Sequence, residues 1–153
     1  MGLYGERIGC LSVLTQSEEQ KHAVVTNLER IARSEYSNPP KFGALIVNYV
    51  LGDKELKKEW DEEITMMGTR IKDMRELLKK KLIETGSKRN WDSITKQKGM
   101  FSYTGFSPEQ CDRLKNEFHI YCIRNGRISI PGLNPGNIEY VAKAFHEITK
   151  DEK

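Results

Sequence analysis

Tyr121-Cys122-Ile123-Arg124-Asn125-Gly126-Arg127-Ile128-Ser129-Ile130-Pro131-Gly132-Leu133-Asn134 is the stretch from which the chain is best read. Two β-prone apolar runs flank Asn125-Gly126, a dipeptide that readily takes the positive φ angles of a tight hairpin turn. The pattern predicts a hairpin with Arg127 at the start of its second strand. Alternation then sets Arg127 and Ser129 on one face and Ile128 and Ile130 on the other. One face is expected to be core, and the other to face a cleft or water. An arginine held on a strand is a good carboxylate receptor, because its planar fork gives two parallel charge-assisted hydrogen bonds. A solvated surface arginine is the competing reading of the same residue.

Just before this stretch, Ser107-Pro108-Glu109-Gln110 forms a capping box, with proline at the first helical position where its missing N–H costs nothing. Cys111, Leu114 and Phe118 mark that helix's buried side. A strand is expected over 100–104, reached from a polar loop over 86–90. Beyond the stretch, Asn134-Pro135 starts a last helix whose stripe is Ile138, Val141, Ala142, Phe145 and Ile148. The strongest periodicity lies further back. Leu56, Trp60, Ile64, Met67, Ile71, Met74, Leu78 and Leu82 step by threes and fours, which predicts a helix over 53–85, about 50 Å long at 1.5 Å per residue. A helix of that length braces two bodies or pairs as a coiled coil.

A short apolar helix is expected over 42–51. Ser17-Glu18-Glu19-Gln20 is another capping box, opening a helix with the stripe Val24, Leu28 and Ile31 or Ala32 that must stop before Pro39. The short apolar run over 8–15 reads as a buried strand. The order is mixed α/β, with helices covering a small sheet.

The 153 residues suffice for one domain with a real core. A net charge of +3 is too small to argue for nucleic acid, and the lysines of the long helix are interleaved with acids. The 3 cysteines form no CxxC pair and are an odd number, which argues against a disulfide framework or zinc site and for a reducing compartment. With no targeting signal and no run of eighteen apolar residues, a soluble protein without a membrane segment is expected.

Four separate motifs, Gly2-Leu3-Tyr4-Gly5-Glu6-Arg7-Ile8-Gly9, Tyr36-Ser37-Asn38-Pro39-Pro40, Gly99-Met100-Phe101-Ser102 and Asn125-Gly126-Arg127-Ile128, occur in an order that closely resembles the C-terminal part of the aspartate aminotransferases. These are dimeric pyridoxal 5'-phosphate enzymes of fold type I. The resemblance spans nearly the whole chain. It implies that 1–52 is the end of a large coenzyme-binding domain, 53–85 a connecting helix and 86–153 a small C-terminal domain. Arg7 would bind the coenzyme phosphate, where an ion pair with Glu6 is the competing reading. Arg127 would grip the substrate α-carboxylate. Arg33 would reach the neighbouring subunit's site in a homodimer and receive the distal carboxylate, against the plainer reading of a cation at a helix C-terminus.

Ser37 and Asn38 would touch that shared site. Tyr4 and Phe101 match aromatic positions beside it, with packing as their alternative. The departures are Tyr36, where relatives carry tryptophan, and Pro131, where they carry a small residue or cysteine. The lysine that forms the Schiff base is expected two residues before the position of Met1, so no catalytic residue is assigned and this chain alone is expected to be inactive.

The implied substrates are L-aspartate, L-glutamate, 2-oxoglutarate and oxaloacetate, exchanged by a ping-pong mechanism in the cytoplasm or the mitochondrial matrix, the cytoplasm being the first expectation. An aminotransferase that also accepts aromatic amino acids is one alternative. Another, from a different class, is a non-catalytic scaffold or dimerisation module built on the long amphipathic helix.

Overall fold

In the computed structural model, which describes residues 1–151, the chain runs through α1 (Glu18–Tyr36), α2 (Phe42–Gly52), α3 (Lys54–Glu84), α4 (Asp92–Lys96), β1 (Phe101–Tyr103), α5 (Pro108–Phe118), β2 (Arg127–Ser129) and α6 (Ile138–Thr149). Its residues group into two units, Met1–Asp61 and Glu62 to the C-terminus. Among the described residues, no helix is long and apolar enough to cross a membrane.

The first unit opens with a 3-10 turn, Tyr4–Glu6, and then runs irregularly to α1. The buried strand expected over 8–15 does not form. Such a strand needs sheet neighbours for its backbone groups; no described residue supplies one, and Leu11, Val13 and Leu14 are exposed. Helix α1 begins as its sequence predicts, with Ser17 Oγ accepting from the Gln20 N–H at 3.2 Å. The Gln20 side chain reaches back one residue further than a capping box requires and accepts from the Gln16 N–H at 2.9 Å. The predicted stripe of α1 is only partly covered, with Val24 and Ala32 half-buried and Leu28 and Ile31 exposed, and the helix contains no buried residue. In α2 only Gly43 is buried. A Cβ there would stand 2.9 Å from Cβ of Glu6, so glycine lets the helix approach the turn that carries Arg7.

Helix α3 has 31 residues, about 46 Å at the usual rise, and is capped by the Asp53 carboxylate, which accepts from the N–H groups of Glu55 and Leu56. Within the second unit its face of Ile71, Met74, Leu78 and Leu82 packs on a core shared with Leu114 of α5 and Val141, Phe145 and Ile148 of α6. Trp91, Phe106 and Phe145 fill the centre; the Phe106 and Phe145 rings meet edge to face at 4.9 Å. Each such buried side chain contributes about 1.5–3 kcal/mol. Helix α5 carries the complete capping box, with Ser107 Oγ accepting from Gln110 N–H and Gln110 Oε1 from Ser107 N–H. The three cysteines are free thiols, and burial first, then neighbouring Cys111, pushes Cys122 up to about 12.

The sheet differs from the predicted hairpin. Strand β2 begins at Arg127 as expected, but its antiparallel partner is β1, with Phe101 opposite Ser129, Ser102 opposite Ile128 and Tyr103 opposite Arg127. The Asn125-Gly126 turn does form, with Gly126 at φ +82° donating to the Ile123 carbonyl at 2.8 Å. The Gly126 carbonyl, however, accepts from both the backbone N–H and the hydroxyl of Thr104, at 3.0 and 2.8 Å. That draws the outgoing chain towards β1, and the incoming run over 121–124 parts from it after one bond, Ile123 N–H to the Arg127 carbonyl.

Candidate active site

Arg127 sits at the exposed start of β2, and the alternation around it holds, since Ile128 and Ile130 are buried while Arg127 and Ser129 are exposed. Because Arg127 lies opposite Tyr103, Phe101 is its diagonal neighbour on the same sheet face. The guanidinium carbon lies 4.6 Å from the centre of the Phe101 ring. A cation over a ring at an exposed site gains about 0.5–1 kcal/mol, which restrains the side chain without consuming its N–H groups. No carboxylate pairs with Arg127 among the described residues. The turn before it is held by Asn125 Oδ1, which accepts from the Arg127 N–H at 3.1 Å.

The far edge of β1 shows residues that sequence reasoning missed. The Met100 carbonyl and the Thr104 N–H bond towards the β2 side, to the Ile130 N–H and the Gly126 carbonyl, so Phe101 and Tyr103 turn their backbone groups outward. Gln97 meets Tyr103 twice, its Oε1 accepting from the N–H at 2.7 Å and its Nε2 donating to the carbonyl at 2.9 Å. Arg75 of α3 meets the rest. Its Nη2 donates to the Phe101 carbonyl at 2.7 Å and the Gly99 carbonyl at 2.9 Å, and its Nη1 to the Ile94 carbonyl at 2.6 Å. Arg75 is only 3% exposed, and burial lowers its pKa from the ordinary arginine value. The signal for it was present, because the heptad step from Ile71 through Met74 to Leu78 sets position 75 on the buried face of the helix.

Arg7 closes the 3-10 turn in a left-handed conformation, φ +49° and ψ +38°, its N–H donating to the Tyr4 carbonyl. Left-handed backbone in a non-glycine residue costs roughly 1–3 kcal/mol and persists where its surroundings over-determine it. The side chain lines a cavity of about 680 Å³ together with Tyr4, Gly9, Cys10, Val47 and Leu51. Among the described residues, Arg7 is the one basic side chain in that wall and no carboxylate lines it. A guanidinium without an acidic competitor suits a phosphate-sized anion, and these residues fit the phosphate end of pyridoxal phosphate. Among the described residues, no lysine lines the cavity.

Arg33 lies in the last turn of α1 and donates through Nη1 to Ser37 Oγ at 2.6 Å. Ser37 holds φ +67° and ψ −64°, and the Asn38 N–H donates to the Tyr36 carbonyl at 2.8 Å, which makes residues 36–38 a γ-turn of the rare, strained hand. The structure therefore brings Tyr4 to Arg7, Ser37 to Arg33 and Phe101 to Arg127. The first two pairs belong to the Met1–Asp61 unit and the third to the other.

The family model for "Aminotransferase class I and II" matches residues 1–145. Over 98% of its length the chain is 51% identical to the mitochondrial aspartate aminotransferase of Arabidopsis thaliana and 54% identical to that of Dictyostelium discoideum, covering 35% of each. It is 44% identical to the cytoplasmic aspartate aminotransferase of Saccharomyces cerevisiae, covering 37% of it. Among solved structures, an aromatic-amino-acid aminotransferase from Burkholderia pseudomallei, covalently bound to pyridoxal phosphate, superposes with a TM-score of 0.87 at 42% identity, over 95% of this chain and 37% of that one. The chain thus spans little more than a third of the length of these relatives. Their names cover both mitochondrion and cytoplasm, so kinship does not favour the cytoplasm over the mitochondrial matrix. The helices packed on a small antiparallel sheet are those of the C-terminal portion of a fold type I enzyme, and the chain belongs to the class I and II aminotransferases.

Proposed function

We propose that this chain is the C-terminal part of an aspartate aminotransferase, which moves an amino group between L-aspartate and 2-oxoglutarate and yields oxaloacetate and L-glutamate. The observation that carries the reading is Arg127, an exposed guanidinium on a strand, backed by the Phe101 ring and matched with no carboxylate among the described residues. Charge-assisted hydrogen bonds are worth about 1.5–3 kcal/mol each. A bidentate pair from Arg127 to the substrate α-carboxylate would hold the amino acid by the end that does not react, leaving its Cα–H to be oriented for proton loss.

Bound pyridoxal phosphate supplies the electron sink for that proton loss. On this chain Arg7 would hold its phosphate, a role supported by the acid-free wall around it and by its constrained backbone. The anchoring lysine would come from the part of the enzyme outside this chain. Arg33 would exchange its bond with Ser37 for the distal carboxylate of aspartate or glutamate in a partner subunit's site, with Asn38 beside it. The same two carboxylate receptors would then serve both half-reactions of a ping-pong cycle, because amino-acid and oxo-acid substrates share both carboxylates.

The test is Arg127→Ala in the complete enzyme. Loss of a bidentate pair worth about 3–6 kcal/mol lowers kcat/KM for aspartate by roughly 10²–10⁴-fold; an unchanged value contradicts the reading. A second reading, acceptance of aromatic amino acids as well, is favoured by the likeness to the Burkholderia enzyme. Comparable kcat/KM values for aspartate and phenylalanine would support it, and a strong preference for aspartate would remove it.

A further inference from the structure

We propose that Arg75 and Arg70, both on α3, are positioning residues that hold the Arg127 strand pair in its carboxylate-receiving geometry, a role that rests on the carboxylate reading of Arg127. Arg75 is buried, yet every hydrogen bond it makes goes to a backbone carbonyl and none to an acid. A buried guanidinium without a counter-ion is costly, and a leucine or methionine at this place would extend the apolar face of α3. What the guanidinium supplies is a fork that spans three carbonyls. Its two terminal nitrogens satisfy all of them, while Nε is left without a partner.

Of those carbonyls, that of Phe101 lies on the edge of β1 that no strand of the described residues covers, and that of Gly99 lies in the segment leading into it. Fixing the Phe101 backbone fixes the origin of the ring that underlies Arg127 at 4.6 Å. Arg70, five residues earlier on the same helix, secures the other side of the pair. Its Nη2 donates to the Leu133 carbonyl at 2.8 Å, and both terminal nitrogens reach the Pro131 carbonyl at 3.4 and 3.5 Å. That segment follows β2 directly. One helix therefore fastens the chain before Phe101 and the chain after Arg127, and the receptor arginine sits between the two fixings.

Lysine cannot reproduce either fork, because its donors radiate from a single nitrogen. The experiment is a pair of double-mutant cycles in the complete enzyme, Arg75→Lys with Arg127→Ala and Arg70→Ala with Arg127→Ala, reading KM and kcat for aspartate and the coenzyme absorbance. Each positioning variant is expected to raise KM about 3- to 10-fold with the coenzyme spectrum intact, and to add nothing once Arg127 is alanine. Effects that multiply with Arg127→Ala, or an unchanged KM in both variants, overturn the positioning role. Should Arg75→Lys not fold, the exposed Arg70→Ala decides by the same criterion. An Arg127→Ala enzyme with full aspartate activity overturns the carboxylate reading itself, and with it this role, and is recognised without either positioning variant.

Discussion

A guanidinium can serve as a receptor only if it is held in place by something that leaves its N–H groups free. Phe101 meets that requirement for Arg127 where a carboxylate would not, since an acid would take the donors that a substrate needs. Phe101→Leu keeps an apolar residue and removes the ring. With about 0.5–1 kcal/mol lost, KM for aspartate should rise roughly 2- to 5-fold while the melting temperature of the enzyme hardly moves; an unchanged KM would mean that the ring is only packing. Arg127 was legible in the sequence because Asn125-Gly126 and a period of two both act over neighbouring residues. For Arg75 only its place on the buried face of α3 was legible, and for Gln97 nothing was. Their partners are backbone carbonyls and an N–H in other segments, and no side-chain pattern marks a carbonyl as unmet.

Helices α1, α3 and α5 start where the sequence places them, whereas the last helix opens at Ile138, after a turn over 135–137, and not at Asn134-Pro135. Ser107 and Gln110 cap α5, Asp53 caps α3, and the long helix ends within a residue of its predicted bounds. The hairpin was misread because its turn is a local matter but its strand partner is not. Thr104 competes for the Gly126 carbonyl from far along the chain and wins β2 for β1. Gly126 is the point on which this depends, because a Cβ there would lie 3.0 Å from the Phe106 nitrogen at a φ of +82°. Gly126→Ala should destabilise the protein by about 1–3 kcal/mol in denaturant unfolding, and a neutral result would contradict the tight turn.

The link between α3 and α4 carries a pH signature. Lys79 first, then Lys96, holds the Asp92 carboxyl below its ordinary value. A folded pKa that is depressed gives stability above the unfolded pKa and loses it as pH falls through the folded one. Asp92→Asn should therefore lower stability at neutral pH and flatten the acid limb of the stability profile; an unaltered acid limb would show that the pair contributes nothing.

At the scale of the whole chain, the two units differ in how their apolar residues are used. The second closes a core around Leu78, Leu114, Phe106 and Phe145. In the first, Leu11, Leu14, Leu28, Ile31, Phe42, Leu45 and Tyr49 remain exposed. Apolar spacing made the helices of both units legible, but spacing reports which face seeks cover and not where the cover comes from. The run over 8–15 looked like a buried strand for that reason.

Segments with few buried contacts open at low free-energy cost. Limited proteolysis of the 153-residue chain should therefore cut first within residues 1–61, leaving a resistant product that begins near Glu62. Initial cleavage within α5 or α6 would contradict this division of stability.

The central claim concerns Arg127 as the receptor for the α-carboxylate, and it is tested most directly by steady-state kinetics of the complete enzyme with and without that side chain. Arg127→Ala should keep its coenzyme and lose roughly 10²-fold or more in kcat/KM for aspartate. A variant that keeps its coenzyme and its full kcat/KM would contradict the account.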